Sequence, residues 1–276
     1  MATSSDGQES LTDALAAARA RRFFIDGHPV DPISGDELLA LAQSAIDDRA
    51  PITIANINLH GLYAARRSAP MRALMRSSRT VVHIDGMPIV WLGRLFGRPV
   101  TRAQRLAHID IIPRLLRLAA RNRWRVAFVG GREDAVAAAS SAFWRIAPTL
   151  DIACFTGYFD TADLSRDGKQ SSILREIHRR EPDLLLVGMG MPAQEEWIQR
   201  LREEFGVPVV MPVGGFIDYF TGATAMPPRW LGQIGLEWAF RLASDPRRLF
   251  YRYCVEPAFL IGPLARQFVR HLADAR

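Results

Sequence analysis

The sequence predicts an α/β fold: a parallel sheet flanked by helices on both faces, with a helical appendage at the C-terminus. Six short, almost wholly apolar runs alternate with stretches of helical periodicity between residues 36 and 228. Continuous apolar runs are typical of strands that helices cover on both faces of a parallel sheet. Residues 229–276 combine aromatic, aliphatic and arginine side chains with almost no strand pattern, which predicts helices.

The predicted elements follow in order along the chain. Residues 1–35 are predicted to form a loose tail with a short helical patch, followed by a small hairpin. The hairpin is predicted because Asp26-Gly27 favours a tight turn. The predicted strands are 52–57, 80–84, 125–129, 150–154, 183–187 and 207–213. The predicted helices are 36–47, 59–78 with a break at Pro70, 110–122 with Asp110 as N-cap, 133–147, 171–180 and 194–205. We therefore divide the chain into a tail and hairpin (1–35), a Rossmann-like domain (36–228) and an arginine-rich helical appendage (229–276).

Composition is that of a globular protein with an unusual choice of basic residue. The chain has 276 residues, 49% of them hydrophobic and 23% charged, and a formal net charge of +6. Of its 35 lysines and arginines, Lys169 is the only lysine. Arginine binds phosphate and carboxylate groups in a bidentate manner. The excess therefore indicates either an anionic ligand or a compositional habit of the source organism.

Several classes of protein are excluded. Cys154 and Cys254 are too few and too far apart for a disulfide framework, and no CxxC or HExxH pattern suggests a zinc site. The N-terminus lacks the apolar core of a signal peptide, and no run approaches the roughly 20 apolar residues of a membrane span. The chain is expected to be cytoplasmic, either soluble or bound to a membrane surface.

Glycines and polar residues follow the predicted strands, where ligands bind in parallel sheets. These residues are Asn58, Asp85-Gly86, Gly130-Gly131, Gly157-Tyr158, Gly188 with Gly190, and Gly214-Gly215. One such glycine is ordinary turn chemistry, but five glycine-bearing turns in succession favour a ligand-binding rim.

The stretch RVAFVGGREDA resembles a phosphate-binding motif but lacks part of it. A strand, Gly130-Gly131 and a helix start are suited to hold a diphosphate with backbone N–H groups. The third glycine of GxGxxG is missing, and no acidic residue closes a second strand at the expected place. A nucleotide site is therefore compatible with this motif, whereas a typical dinucleotide site is not.

Two aspartates at the predicted rim have both a chemical and a structural interpretation. Asp85 ends a buried strand and precedes a glycine, a position from which it could act as a general base. Asp-Gly is also a common turn, and from this motif alone the turn is favoured. Asp218, in VGGFIDYFTG, could contact a sugar hydroxyl or cap the next segment.

The stretch GMGMPAQEEW leaves a buried strand in a way that packing alone does not require. Gly188 and Gly190 allow close approach of the backbone, and Glu195 and Glu196 suit the dipole at a helix start. Gln194 has no such explanation. Its amide both donates and accepts hydrogen bonds, which suits sugar hydroxyls or phosphate.

The C-terminal segment has a membrane-binding character. Arginines such as Arg241, Arg247 and Arg248 alternate with Trp, Phe and Tyr over residues 229–276. A basic helix with aromatic side chains on its other side suits a surface of anionic lipid. The alternative is a helix that docks on its own domain and exposes a solvated arginine face.

Taken together, these motifs resemble the WecG/TagA/CpsF family of bacterial glycosyltransferases, glycosyltransferase family 26. The similarity extends from about residue 52 to 252. Its motifs are INLHGLY, DGMPIV, RLAHID, VAFVGG, TGYF, GMGMPAQEEW, PVGGFIDYFTG and GLEWAFRLASDPRRL. Each motif is weak alone, but their order and spacing are specific.

The resemblance implies an inverting transferase that moves a sugar from a UDP-sugar to a sugar on a polyprenyl diphosphate lipid, peripheral on the inner face of the cytoplasmic membrane. It implies that Asp85 is the catalytic base, that Gln194 is the family glutamine, and that no metal or other cofactor is needed. It also implies that an arginine-bearing appendage, through Arg241, Arg247 and Arg248, completes the site and contacts the anionic membrane. A homo-oligomer is compatible with the resemblance, and a nucleic-acid partner is not expected.

The full set of predicted site residues combines this resemblance with the strand-end rule. Asp85 and Gln194 are predicted to be catalytic. The predicted substrate-binding residues are Asn56, Asn58, Gly130, Gly131, Tyr158, Gly188, Gly190, Gly214, Gly215, Asp218, Arg241, Arg247 and Arg248. Inverting transfer needs one base and a means of holding the departing diphosphate, which without a metal must come from N–H groups and arginines.

The sequence departs from the family pattern at two positions. Family members often carry threonine where this chain has Asn56, and many have arginine where it has Met226. Both departures concern the sugar and the acceptor, and neither affects the role of Asp85. The resemblance allows N-acetylmannosamine, its uronic acid or glucose as the transferred sugar.

Two other functions were weighed. A non-catalytic nucleotide- or nucleic-acid-binding protein would fit the positive charge, but no nucleic-acid motif is present and the arginines are not gathered on one aromatic sheet face. An NAD-dependent reductase is disfavoured by the incomplete glycine motif.

Overall fold

A computed structural model describes residues 10–163 and 165–274. The first nine residues of the predicted tail lie outside this range. The helical patch of the tail is a helix, α1 (Leu11–Ala20), and the predicted hairpin consists of β1 (Phe23–Ile25) and β2 (His28–Val30). Its strands pair antiparallel around the Asp26-Gly27 turn, as predicted.

Six parallel strands form the sheet within the described residues, and all six were predicted. They are β3 (Ile52–Ile57), β4 (Thr80–Ile84), β5 (Arg125–Gly130), β6 (Asp151–Phe155), β7 (Leu184–Gly188) and β8 (Val209–Pro212). Their order across the sheet is β4-β3-β8-β7-β5-β6. Because the strands are parallel, their carboxyl ends lie along one edge. The strands β4, β3, β8 and β7 are neighbours there, whereas β5 and β6 lie at one side.

The helices cover both faces of this sheet. They are α2 (Gly35–Asp47), α3 (Leu59–Arg67), α4 (Ala69–Arg76), α5 (Met87–Leu95), α6 (His108–Arg121), α7 (Val136–Ile146), α8 (Lys169–Arg180), α9 (Ala193–Leu201) and α10 (Ile217–Thr221). One face packs against α1, α2, α6 and α7, and the other against α3, α4, α5, α8 and α9. Along β7, Leu184 and Leu186 join the first cluster and Leu185 and Val187 the opposite one. This alternation explains the continuous apolar runs.

Two helix starts differ from the prediction, and the short helices α5 and α10 were not predicted. The break near Pro70 lies at Ser68, whose side chain accepts from the N–H of Met71 and so begins α4. Asp110 is not an N-cap: α6 starts at His108, and Ala107 is its N-cap. The Asp110 carboxylate instead pairs with Arg229 of the appendage.

The C-terminal segment is helical, as expected, and is attached to the N-terminal hairpin. It contains α11 (Arg229–Gln233), α12 (Glu237–Ser244), α13 (Pro246–Phe250), a π-helical turn (Tyr251–Val255) and α14 (Ala258–Asp274). Leu260 of α14 is buried in the apolar cluster formed by the hairpin, α3 and α5. The Gln267 amide donates to the carbonyl of Phe24 at 2.8 Å and accepts from the N–H of Asp26 at 2.7 Å. No helix within the described residues is both long and apolar enough to cross a bilayer.

Candidate active site

Two cavities lie side by side beyond the carboxyl ends of β3, β4, β7 and β8. The first has a volume of about 120 Å³ and is lined by the turns after β7 and β8 and by the start of α6. The second, of about 300 Å³, lies between the starts of α3 and α5 and the C-terminal appendage. Five residues line both cavities: Asn58, Asp85, Glu237, Arg241 and Arg252. The two cavities therefore meet at one group of charged and amide side chains.

Asp85 is held between two asparagines at the end of β4. The Asn58 amide donates to Asp85 Oδ2 at 2.9 Å, and the Asn56 amide lies 3.4 Å from the same oxygen. Asn58 is also the N-cap of α3, because its Oδ1 accepts from the N–H of Gly61 at 2.9 Å. The cap fixes the orientation of the Asn58 amide, so its N–H₂ group faces the carboxylate. Burial would raise the pKa of Asp85, but the nearby His108 and the Asn58 hydrogen bond lower it below its ordinary value.

Two imidazoles lie behind Asp85 and are uncharged at neutral pH. Burial lowers the pKa of His83 to about 3 and also lowers the pKa of His108 below its usual value. The two rings are 5.5 Å apart in an edge-to-face arrangement. Asp85 is thus ionised at neutral pH and can accept a proton, as a general base must, although its lowered pKa makes it a weaker base than an ordinary aspartate. Neither histidine was predicted to belong to the site, although His108 lies in the motif RLAHID.

Two arginines of the appendage bring unpaired positive charge to the site. Arg241 of α12 and Arg252 of the π-helical turn line both cavities. Within the described residues neither forms an ion pair, and the Nε atom of each is buried without a hydrogen-bond partner. Each guanidinium is only partly buried and lies over a tyrosine ring, Arg241 over Tyr219 and Arg252 over Tyr253. A ligand with acceptor oxygens would satisfy the unpartnered Nε atoms. Arg241 was predicted, whereas Arg252 was noted only as part of the arginine-rich segment.

The second cavity combines an apolar wall with ion pairs that join the appendage to the sheet domain. Met87, Pro88, Trp238, Tyr253 and Pro257 contribute to its lining. His60 Nδ1 lies 2.6 Å from the buried Glu256 carboxylate, and Arg105 lies 3.3 Å from Glu237. Each pair links a residue at the sheet edge to a residue of the appendage. The appendage therefore forms one wall of this cavity.

Gln194 has a different setting from the one expected. Its side chain contributes to the first cavity but is 0% exposed. The amide oxygen accepts from the N–H groups of Gly190 at 3.2 Å and Gly214 at 3.0 Å. The amide nitrogen donates to Glu195 at 2.7 Å. The side-chain amide of Gln194 therefore makes three hydrogen bonds with other groups of the protein.

Eight of the fifteen predicted site residues come together in the first cavity: Asn56, Asn58, Asp85, Gly190, Gln194, Gly214, Gly215 and Arg241. The other seven contribute to neither of the two cavities: Gly130, Gly131, Tyr158, Gly188, Asp218, Arg247 and Arg248. Tyr158 is 72% exposed, and Arg248 pairs with Asp245 at 2.6 Å. Asp218 is close to the first cavity without lining it. Gly215 lines that cavity, and a Cβ built at Gly215 would lie 2.9 Å from the Asp218 carboxylate.

Gly130 and Gly188 have a packing reason instead. A Cβ at Gly130 would lie 2.7 Å from the carbonyl oxygen of Gly188, and a Cβ at Gly188 would lie 2.9 Å from that of Gly214. The ends of β5, β7 and the turn after β8 therefore approach too closely for side chains. Gly190 and Gly214 differ, because both have positive φ angles (+81° and +56°) and nothing lies near their absent Cβ atoms.

Large exposed apolar side chains are concentrated on the appendage. Of the sixteen in the described residues, eleven lie between Met226 and Leu272. They include Trp230, Trp238, Phe250 and Phe259, which are aromatic side chains suited to a membrane interface. Exposed apolar side chains that form a contiguous patch are typical of interaction surfaces. Such a concentration does not identify the partner by itself.

The chain was compared with known proteins. The family model described as "Glycosyl transferase WecG/TagA/CpsF family" matches residues 23–273. This match includes the hairpin, the whole sheet, both cavities and nearly all of the appendage.

Similar curated proteins are found in Staphylococcus aureus. Those of strains MW2 and MRSA252 are each 29% identical to the chain over 187 residues, which is 68% of this chain and 69% of each relative. Both are named N-acetylglucosaminyldiphosphoundecaprenol N-acetyl-beta-D-mannosaminyltransferase.

Proposed function

Since the chain belongs to the WecG/TagA/CpsF family of glycosyl transferases, we propose that it transfers a sugar from a UDP-sugar to a sugar carried on a polyprenyl diphosphate, with inversion at the anomeric carbon. The observation that supports this most directly is the position of Asp85 in the wall shared by two cavities. A donor in one cavity and an acceptor in the other would meet beside this carboxylate. The family membership disfavours the nucleic-acid-binding and reductase alternatives.

In the proposed reaction, Asp85 accepts the proton of the acceptor hydroxyl. The oxygen then attacks the anomeric carbon of the donor, and the bond between that carbon and the diphosphate breaks. The departing diphosphate gains negative charge, which must be balanced for the bond to break. Arg241 and Arg252 line this cavity without forming an ion pair with any described carboxylate, and Gly214 and Gly215 place backbone at the same cavity. Among the described residues no cluster of acidic, histidine or cysteine side chains is arranged for a metal.

We assign the donor to the first cavity and the acceptor to the second. The first is bordered by glycine turns and the start of α6, which suit a diphosphate and a sugar. The second has the more apolar wall and is formed partly by the appendage, where exposed aromatic side chains are concentrated. An acceptor on a lipid would reach the second cavity from a membrane on which the appendage rests. The S. aureus relatives are named for an N-acetylglucosaminyl-diphosphoundecaprenol acceptor, and we propose an acceptor of the same class here.

This assignment also gives the domains their roles. Residues 36–228 would be the catalytic domain, and residues 229–276 would bind an anionic membrane surface at its cytoplasmic face. The arginines and the exposed aromatic side chains of the appendage support this proposal. The appendage would then position the lipid-linked acceptor as well as complete the site.

The test is the Asp85→Asn variant. The amide keeps the size of the side chain but is a very poor base, so transfer from a UDP-sugar to a short-chain polyprenyl-diphosphate N-acetylglucosamine should be abolished. Binding of UDP, measured by calorimetry, should change little. The matched control is Asp134→Asn, an exposed aspartate that pairs with Arg132 far from both cavities. Retained turnover, or an equal loss of UDP binding, would contradict the role of Asp85.

A further inference from the structure

Gln194 and Glu195 form a buried polar pair at the start of α9. Their side chains are 0% and 1% exposed. The amide nitrogen of Gln194 donates to one carboxylate oxygen of Glu195 at 2.7 Å. The second oxygen, Oε2, is buried and has no hydrogen-bond partner within the described residues. Glu195 lies in neither cavity, so a ligand bound there would not contact it.

The other end of Gln194 joins two separate turns. Its Oε1 accepts from Gly190, in the turn after β7, and from Gly214, in the turn after β8. Both turns line the first cavity. Both glycines have left-handed backbones, and a Cβ at either would meet no other atom. The backbone bond from the N–H of Val213 to the carbonyl of Val187 also joins the two strand ends. The amide oxygen of Gln194 adds a side-chain contact that joins the two turns beyond the strands.

This arrangement needs the amide in one orientation. If the Gln194 side chain were flipped, its N–H₂ group would face two backbone N–H groups and its oxygen would face Glu195. In its ionised form the Glu195 carboxylate can only accept a hydrogen bond, so together with the two backbone N–H groups it favours the orientation seen here. Burying this acid is unfavourable, and burial raises its pKa to about 7. The neighbouring Glu196 avoids most of this desolvation cost, because it is partly exposed and accepts a hydrogen bond from the Ser68 hydroxyl at 2.6 Å.

We propose that Glu195 is a positioning residue for the diphosphate site: it fixes the Gln194 amide, and Gln194 holds Gly190 and Gly214 at the spacing that the diphosphate of the donor requires. Gln194 then acts on the substrate through the two turns and not by contact. The part of this proposal that concerns the diphosphate rests on the proposed function. The part that concerns the two turns does not.

The first experiment needs no ligand. Amide hydrogen exchange would be measured by mass spectrometry on peptides covering 188–194 and 211–216, in the full chain. Glu195→Leu replaces the carboxylate with an apolar side chain of similar length. It should speed exchange at both turns about tenfold or more, which corresponds to about 1.4 kcal/mol of lost protection. Glu195→Gln keeps an oxygen that can accept from Gln194 and should restore most of the protection. The control Glu196→Gln should leave both turns unchanged.

The second experiment measures UDP and UMP affinity by calorimetry. Glu195→Leu should weaken UDP about tenfold while changing UMP much less, because UMP lacks the second phosphate, and Glu195→Gln should bind nearly as the parent protein does. With a lipid-linked acceptor, the KM for the donor should rise more than kcat falls.

Unchanged exchange in Glu195→Leu would overturn the proposal outright. Faster exchange with an unchanged UDP-to-UMP ratio would refute the link to the diphosphate. If the parent protein binds no UDP, the proposed function fails and the diphosphate role fails with it, while the exchange data still decide whether Glu195 fixes the two turns. Should Glu195→Leu unfold, Glu195→Ala is compared with Glu196→Gln under the same criteria.

Discussion

Asn58 has two functions that substitution can separate. Its oxygen caps α3 and its amide N–H₂ group donates to Asp85. Asn58→Asp keeps an oxygen for the Gly61 N–H but replaces the donor with a second carboxylate beside Asp85. Asn58→Ala removes both interactions. The pair of variants therefore distinguishes loss of the helix cap from loss of control over the base.

The magnitudes follow from these contacts. Loss of the cap in Asn58→Ala should destabilise the fold by about 0.5–2 kcal/mol. Loss of a hydrogen bond to a charged group is worth about 1.5–3 kcal/mol, equal to roughly 10- to 150-fold in rate. In Asn58→Asp the cap and a favourable helix-dipole interaction remain, so stability at low pH should be close to that of the parent. Its two carboxylates share one site, which raises the pKa of one of them.

The sign of the pH dependence separates the variants further. In the parent protein the pKa of Asp85 is lowered, so its contribution to stability is present above the pKa of the unfolded chain and is lost as the pH falls through the lowered value. In Asn58→Asp one carboxyl has a raised pKa, so stability is instead lost as the pH rises through that value. The acid limb of kcat/KM should move to higher pH for the same reason.

The assay is urea unfolding from about pH 2 to pH 9, which includes the lowered pKa of Asp85, and initial-rate transfer from about pH 5 to pH 9. An Asn58→Asp variant with the parent pH profile and parent activity would refute the argument that Asn58 controls the base. A loss of stability equal to that of Asn58→Ala at low pH would refute the assignment of the cap.

Two further predictions concern the appendage. Arg252→Met should raise the KM for the UDP-sugar about tenfold or more, because it removes a charge that is proposed to face the diphosphate. The control is Arg121→Met, which changes an exposed arginine at the end of α6. An equal effect of both variants in the transfer assay would contradict the role of Arg252. Leu260→Ala should lower the free energy of unfolding by about 2–5 kcal/mol, because the Leu260 side chain is only 1% exposed. Leu272→Ala should change it little, because Leu272 is 49% exposed. Similar urea midpoints for the two variants would show that α14 is not anchored at Leu260.

The strands of this fold could be predicted because each is an apolar run buried on both faces. Ile52–Ile57 and Thr80–Ile84 were predicted to the residue. The helix Met87–Leu95 was missed because Gly86 and Pro88 resemble a loop, although Pro88 merely occupies the first turn of the helix. Asp110 was taken for an N-cap because of its residue type, whereas the helix starts two positions earlier.

The site was predicted only where sequence rules also determine position in space. The strand-end rule correctly brought Asn58, Asp85 and Gly214 to one edge. It also selected Gly130, the last residue of β5, and Tyr158, which follows β6, because sequence does not give the order of strands in the sheet. That order places β5 and β6 at one side of the sheet, away from both cavities. Arg252 and His108 approach Asp85 only through tertiary packing, which no local pattern reports.

The contact between α14 and the hairpin has a consequence for synthesis. Asp26 and Gln267 are 241 positions apart in the chain, and Phe24 and Gln267 are 243 apart. Contacts this distant in sequence form late, and a ribosome releases the hairpin long before it makes Arg241 and Arg252. A nascent chain can complete its sheet yet lack the guanidinium groups that would hold the diphosphate. The cavities beside Asp85 would therefore be complete only after the appendage has been made and has packed against the hairpin and the sheet edge.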